Sequence, residues 1–180
     1  MLAGKLFICP TPLGNLEDIT LRVLRVLREV DKIAAEDTRH TRKLLTHYDI
    51  HTPLVSFHEH NKVKKTAAII AWLQNGQTIA LVSDAGTPAI ADPGEELVRA
   101  AVANEIPVIA LPGPVAAVTA LSASGYKTSP FVFYGFLPPR GTQKKEVLAK
   151  ILAEDKTVIF YEAPHRLLKT LIALQEDNPQ

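Results

Sequence analysis

Apolar positions along the chain alternate between two spacings. Short, continuous apolar runs recur at residues 5–9 (KLFIC), 32–35 (KIAA), 54–58 (LVSFH), 78–82 (TIALV) and 108–111 (VIAL). Runs of this kind suit parallel strands that are covered on both faces. Between them the spacing turns helical. Ile19, Val23, Leu24, Val26, Leu27 and Val30 make one broad apolar face behind Asp18 or Thr20 as cap. A second helix runs through Leu44 and Leu45 to about Tyr48. Residues 63–75 predict a third, with Ala67, Ile70, Ala71 and Leu73 inward and Gly76 as its stop. Residues 94–104 predict a fourth, with Pro93 near its start and Glu95 and Glu96 in its first turn. Residues 115–124 form an Ala-rich fifth. Five strand–helix repeats with short loops predict an α/β fold, a mostly parallel sheet with helices on both faces.

The pattern lapses at residues 124–130 (SGYKTSP), which are turn-rich and aperiodic. This divides the chain into an N-terminal α/β domain, 1–124, and the start of a second α/β domain, 125–180. The second has a strand at 131–136, a loop at 138–143, a helix at 146–153, a strand at 158–161 and a last helix opened by Glu162-Ala163-Pro164-His165-Arg166. Two strands do not make an independent layered domain. The second domain is therefore expected to be incomplete, either truncated here or completed by another chain.

In an all-parallel sheet the loops after the strands share one edge, where open α/β sheets bind ligands. These loops are PTPLGN (10–15), EDTRHTR (36–42), HEHNK (58–62), SDAGTP (83–88) and PGP (112–114). The segment LVSDAGTPAIADPG (81–94) is the centre of the set. Its small residues let a ligand approach the backbone, and Gly86 can take a positive φ. Asp84, at a strand end, can accept a hydrogen bond from an amine or a ribose hydroxyl. The same residues also suit a plain tight turn with Asp84 and Asp92 as turn or cap residues. Residue types alone weigh the two readings equally.

Composition narrows the chemistry. Twenty basic and 19 acidic residues leave a net charge of +1, so nucleic-acid contact must come from a local patch. The one cysteine, Cys9, lies in a predicted buried strand and reads as a small hydrophobe; a single cysteine fits a reducing, cytoplasmic setting. No apolar run reaches the length of a membrane span. There is no G-x-G-x-x-G after the first strand, no G-x-x-x-x-G-K-[ST] and no G-x-S-x-G, which argues against the familiar dinucleotide, NTP and serine-hydrolase sites. His58 and His60 would share one face of a strand, but a metal would need a third ligand from elsewhere, so no metal site is expected. Small-residue loops without a phosphate fingerprint suit an adenosine-type ligand that lacks a pyrophosphate.

Six segments in order, PTPLGNLEDIT, AEDTRHTRKLL, SDAGTPAIADPG, LPGPVAAVTAL, YGFLP and EAPHRL, resemble the ribosomal RNA small-subunit methyltransferase I family of the tetrapyrrole-methylase-like superfamily. The resemblance runs from Lys5 to about Leu168. It implies a two-domain, homodimeric enzyme that binds S-adenosyl-L-methionine between its domains. The implied reaction methylates a cytidine ribose 2′-oxygen in the 16S rRNA of the small ribosomal subunit. By this likeness Asp84, Ala85, Gly86, Thr87 and Ile90 are cofactor-side candidates, with Pro12 lining the same cleft. Val115 and Ala116 offer backbone or apolar contact after Pro112-Gly113-Pro114, where the superfamily often carries a serine. Phe136, Leu137, Ala163 and Pro164 would close over the cofactor. Family members are longer than this chain, which again suggests truncation.

The resemblance also marks Glu36-Asp37-Thr38-Arg39 as an RNA-branch block. Arg39, Arg42 and Lys43 could meet phosphates while Glu36 or Asp37 faces a sugar hydroxyl; the competing reading is a solvated helix start capped by Asp37 or Thr38. Lys62, Lys64 and Lys65, and Arg140, Lys144 and Lys145, would extend the basic patch. A ribose hydroxyl is a poor nucleophile, so a base should help to remove its proton. The candidates are Asp37, Glu36, His58 and Glu162, and the sequence does not choose among them. Two alternatives stay open, a methylase of a tetrapyrrole-like macrocycle and a non-catalytic binding module.

Overall fold

The computed structural model describes residues 4–177. The chain forms two compact units that divide between Val115 and Ala116.

The first unit contains β1 (Leu6–Ile8), α1 (Leu21–Glu29), β2 (Lys32–Ala35), α2 (Thr38–His47), β3 (Leu54–Ser56), α3 (Lys62–Gln74), β4 (Ile79–Val82), α4 (Glu95–Ala103) and β5 (Val108–Ala110). The strands pair in the order β3-β2-β4-β1-β5, every pair parallel. β4 is therefore central, and all four of its residues are buried. Alternate strand residues serve two cores. Cys9, Ile33, Ala35, Ala80 and Val82 pack with the apolar faces of α1 and α2. Leu6, Ile8, Ala34, Ile79 and Leu81 pack with Ile69, Ile70 and Leu73 of α3 and with Leu97 and Ala101 of α4. This alternation of side chains is what lets a parallel sheet bury both faces.

Of the two candidate caps for α1, Thr20 is the one used: its hydroxyl accepts from the Val23 N–H at 3.1 Å. Asp18 lies instead in a short 3₁₀ turn, Leu16–Asp18. β3 is shorter than its apolar run. It ends at Ser56 because Asn61 folds back, accepting from the His58 N–H at 2.9 Å and meeting the Ser56 hydroxyl at 3.1 Å. His58 and His60 consequently do not share a strand face. They lie in the turn beyond the strand, with rings edge to face at 6.0 Å.

The second unit contains α5 (Ala116–Ala123), β6 (Phe131–Phe136), α6 (Thr142–Leu152), β7 (Thr157–Tyr161) and α7 (Pro164–Asp177). β6 and β7 form a two-stranded parallel sheet. Leu137, Leu148 and Ile151 form its buried centre, with Tyr134, Val158, Phe160 and Leu174 packed around them. The sequence pattern divides the chain at residue 124, whereas the compact units divide after Val115. The Ala-rich helix α5 joins the second unit: the Ala117 N–H donates to the Tyr161 hydroxyl at 3.1 Å. α6 begins four residues before the predicted 146, with Gly141 at its N-cap. No helix among the described residues is long and apolar enough to cross a membrane.

Candidate active site

In the first unit, the loop after β4 is the hub to which three other strand-end loops are tied. The loop after β1 meets it through a two-way backbone pair. The Thr11 N–H donates to the Gly86 carbonyl at 2.9 Å, and the Gly86 N–H donates back to the Thr11 carbonyl at 3.0 Å. The buried Thr11 hydroxyl adds a 3.0 Å bond to the Ser83 carbonyl. The loop after β2 meets it where the Asp37 N–H donates to the Asp84 carboxylate at 3.1 Å. The loop after β5 meets it where the Thr87 hydroxyl donates to the Pro114 carbonyl at 2.9 Å. Pro12, Asp84, Gly86 and Thr87 are thus brought together on one sheet edge, while Ala85 and Ile90 are exposed beside them.

The hub loop is strained. Gly86 has φ +86°, and a Cβ there would lie 3.1 Å from Leu13 Cδ2. Gly113, in the loop after β5, is pressed against Pro10 so closely that a Cβ would come within 2.5 Å of the proline ring. Ala89 and Ala91 sit at φ 66° and 61° without glycine's freedom. Each such alanine costs on the order of 1–2 kcal/mol. Strain of this kind persists where surrounding contacts over-determine the backbone, and it concentrates at functional loops.

Asp84 borders a cavity of about 240 Å³ whose other walls include Pro12, Leu16, His40, Thr41, Lys43 and Leu44. Thr41 is 2% exposed, and its hydroxyl oxygen is buried with no hydrogen-bond partner. An unpaired buried hydroxyl costs about 1–3 kcal/mol. Thr41, Leu16 and His40 were not among the residues marked from sequence. The available signal was Thr41 itself, a hydroxyl in the same helical stripe as the buried Leu44 and Leu45.

Two acids on the other side of Asp84 are held above their ordinary range. Burial, then the charges of Asp92 and Asp84, push Glu36 up. Burial, then the charge of Asp84, does the same to Asp92 against a hydrogen bond from Ser83. Glu36 is half-buried and close to the hub. Of the four acid–base candidates it alone combines proximity to Asp84 with a raised affinity for protons.

The remaining candidates are otherwise engaged. Asp37 caps α2, accepting from the Arg39 N–H at 2.8 Å, and pairs with the Arg39 guanidinium at 2.7 Å. That ion pair and cap hold its carboxyl well below the usual range. His58 is fastened to Asn61 through Nε2 at 3.2 Å, with Nδ1 buried and unpaired. Glu162, in the second unit, has a side chain 2% exposed that lies 3.1 Å from Lys144 Nζ and 2.7 Å from Arg166. The Thr170 hydroxyl at 2.6 Å and the Ala163 N–H at 2.8 Å also donate to it. Burial alone would raise its pKa, but these partners bring it down to about 2. A carboxylate so saturated is a structural anchor and a weak base.

The same contacts correct the basic patch. Lys144 is committed to Glu162 and Thr170 rather than facing outward. Lys62 bridges Glu59 at 2.7 Å and Glu96 at 2.9 Å. Arg39, Arg42 and Lys43 line a groove along the exposed face of α2 with Thr38, Thr46 and His47. Among the second unit's cofactor-side candidates, Leu137 is buried in that unit's core. Phe136 is exposed, with its ring edge to face with Tyr161 at 5.3 Å. Pro164 opens α7. Val115 and Ala116 flank the division between the units. Cys9 is fully buried and its thiol is pushed up to about 12 by that burial, which leaves it unreactive. Among the described residues no group of three His, Cys, Asp or Glu side chains is placed to hold a metal ion.

Residues 5–180 match the family model described as tetrapyrrole (corrin/porphyrin) methylases. Curated relatives named ribosomal RNA small subunit methyltransferase I include that of Halalkalibacterium halodurans, 56% identical over 168 residues, covering 93% of this chain and 58% of the relative. The Bacillus subtilis relative is 54% identical, covering 96% and 59%. That of Synechocystis is 52% identical, covering 96% and 62%. The chain thus spans about three fifths of the length of these relatives. Among solved structures, uroporphyrin-III-C-methyltransferase from Thermus thermophilus is similar with a TM-score of 0.57 and 26% identity, covering 78% of this chain and 66% of that one. A diphthine synthase shares the fold with a TM-score of 0.74 at 15% identity, covering 96% and 72%.

Proposed function

Since this chain belongs to the tetrapyrrole (corrin/porphyrin) methylase family, we propose that it is part of an S-adenosyl-L-methionine-dependent methyltransferase whose acceptor is the ribose 2′-oxygen of a cytidine in 16S rRNA. Its relatives at 52–56% identity, all named for the small-subunit ribosomal RNA, support the acceptor class. The observation that carries the reading is the loop after β4, tied to the loops after β1, β2 and β5 and small enough for a ligand to reach its backbone.

The residues present fit the cofactor. Ala85 and Gly86 give close backbone approach, and Asp84 adds a carboxylate that can accept from an amine or a ribose hydroxyl. When bound, S-adenosyl-L-methionine supplies a methyl group on a sulfonium, which needs little covalent help. The protein's work is to orient the acceptor oxygen and exclude water. Glu36, whose affinity for protons is raised by burial and by the charges of Asp92 and Asp84, is the candidate to take a proton from a sugar hydroxyl. Arg39, Arg42 and Lys43 supply a local cationic face for phosphates on a chain of net charge +1. The domain that carries the cofactor loops ends between residues 115 and 124. The complete protein acts as a homodimer in the cytoplasm.

The test is transfer of labelled methyl from S-adenosyl-L-methionine by the whole protein to small ribosomal subunits that lack the modification. Label on the 16S rRNA is the expected outcome. Label on a porphyrin-like macrocycle, with the subunits untouched, would instead favour the alternative suggested by the likeness to uroporphyrin-III-C-methyltransferase. Failure to bind S-adenosyl-L-methionine at all would reduce the protein to a binding module.

A further inference from the structure

We propose that the exposed face of α1 and α2 is a docking surface for a folded RNA element of the small ribosomal subunit, with the arginines of α1 as phosphate contacts. The inference rests on the methyltransferase reading above and adds a second surface through which that enzyme meets its substrate.

Topology puts the two helices in one layer. α1 links β1 to β2, α2 links β2 to β3, and both pack on the core that holds Ile33, Ala35, Ala80 and Val82. Each helix follows a parallel strand, so both start at the sheet edge that carries the strand-end loops. The Arg28 guanidinium donates to the Tyr48 carbonyl at 2.9 Å, which fastens the end of α1 to the end of α2. Packed helices lie about 8–10 Å apart, so the side chains they expose form two neighbouring rows.

Both rows are cationic. In α1 arginine recurs at every third position, 22, 25 and 28, and all three are exposed. α2 adds Arg39, Arg42 and Lys43. Against these six cations the two helices carry one acid, Glu29, and the cap of α2 adds Asp37. The opposite layer is built otherwise: Lys62 of α3 is bound to Glu59 and Glu96, and Arg99 of α4 pairs with Glu95. Among the described residues Arg22, Arg42 and Lys43 have no such acidic partner. Arg25 pairs with Glu29 at 2.8 Å, but the two side chains are 60% and 58% exposed, and a pair in that setting is worth little. On a chain of net charge +1, this layer is the local patch that nucleic-acid contact requires. Leu21, 85% exposed at the start of α1, sets an apolar contact for a ribose beside Arg22. One extended strand can follow one row; a folded element, recognised by shape and backbone, meets both. Such phosphate contacts position the substrate, so the α1 row orients the subunit and takes no part in methyl transfer.

The experiment compares the whole protein with the double variant Arg22→Ala, Arg25→Ala. A control, Lys5→Ala, Arg99→Ala, removes the same charge from exposed positions elsewhere. Binding to small ribosomal subunits and to a double-stranded RNA hairpin is measured across salt concentrations. The α1 variant should reduce the slope of log affinity against log salt by about two, one for each lost phosphate contact. Its KM for subunits should rise at least several-fold, with kcat and the Kd for S-adenosyl-L-methionine unchanged. Its melting temperature should match wild type, because both side chains are exposed. The control should bind as the wild type does. Wild-type affinity and slope in the α1 variant would overturn the surface. So would a control weakened to the same degree, which would make the effect one of net charge. Weaker binding to subunits with hairpin binding unchanged would overturn RNA as the partner in favour of an acidic protein of the subunit. Binding of the wild type to anionic phospholipid vesicles but not to the hairpin would give the surface to a membrane. If the wild type methylates no RNA yet the α1 variant binds subunits and hairpin more weakly, the function reading fails and the surface stands. If the wild type methylates 16S rRNA and the α1 variant does so with the same KM, the reading stands and the surface fails.

Discussion

The backbone N–H of Asp37 donates to the carboxylate of Asp84 at 3.1 Å, across 47 residues of sequence. The ends of β2 and β4 are therefore fastened together, and α2 starts where Asp84 holds it. Asp84→Ala should cost about 1–2 kcal/mol, read as a lower urea midpoint at unchanged slope. Asp84→Asn, whose amide oxygen still accepts, should lose less. Equal midpoints for wild type and alanine variant would show that the tie contributes nothing.

Gly86 carries the second expectation. At φ +86° with Leu13 Cδ2 3.1 Å from a Cβ position, Gly86→Val should destabilise by about 1–2 kcal/mol through backbone conformation. It should also abolish the rise in melting temperature that S-adenosyl-L-methionine gives the wild type, a rise set by ligand concentration over Kd. A ligand-dependent shift as large in the variant as in the wild type would remove this loop from the cofactor site.

The parallel sheet and its helices were legible because buried strands and amphipathic helices leave different periods in the sequence. The shared edge of the loops followed from that topology, and the resemblance to a methyltransferase family was carried by six motifs in order along the chain. What the sequence hid depended on contacts distant along the chain. Glu162 looks like any carboxylate beside a helix start, yet Lys144, Arg166 and Thr170 saturate it. Lys144 and Lys62 look like free surface cations, yet both are paired. Thr41 looks like a tolerated polar residue in a helix, and only the packing shows its hydroxyl to be unpartnered. The end of β3 and the placement of His58 turned on one asparagine side chain, Asn61, which periodicity does not see.

The acids give opposite dependences on pH. Glu36 and Asp92 bind protons more tightly folded than unfolded. Their contribution to stability is present below their ordinary values, 4.5 and 3.8, and is lost as pH rises through their higher folded values. Glu36→Gln should flatten that decline in urea titrations across the pH range. Glu162, down at about 2, behaves the other way. Its contribution is present above 4.5 and is lost as pH falls towards 2. Glu162→Gln should therefore narrow its stability gap to wild type as the solution is acidified. Parallel pH curves for each variant and the wild type would contradict both assignments.

Arg39 and Arg42 separate the substrate from the cofactor. Arg39 is 88% exposed and held only by Asp37, so its removal leaves both cores intact. The double variant Arg39→Ala, Arg42→Ala should methylate small subunits at least several-fold more slowly and show a weaker salt dependence, with unchanged Kd for S-adenosyl-L-methionine. A wild-type rate on subunits would return this segment to a solvated helix start.

The most direct test is the identity of the methylated nucleoside. Small ribosomal subunits are treated with the whole protein and S-adenosyl-L-methionine, the 16S rRNA is digested to nucleosides, and the added mass is located. A methyl on the ribose 2′-oxygen of cytidine is the predicted result. A methyl on a base, or none on RNA while a macrocycle acceptor is methylated under the same conditions, would contradict the account.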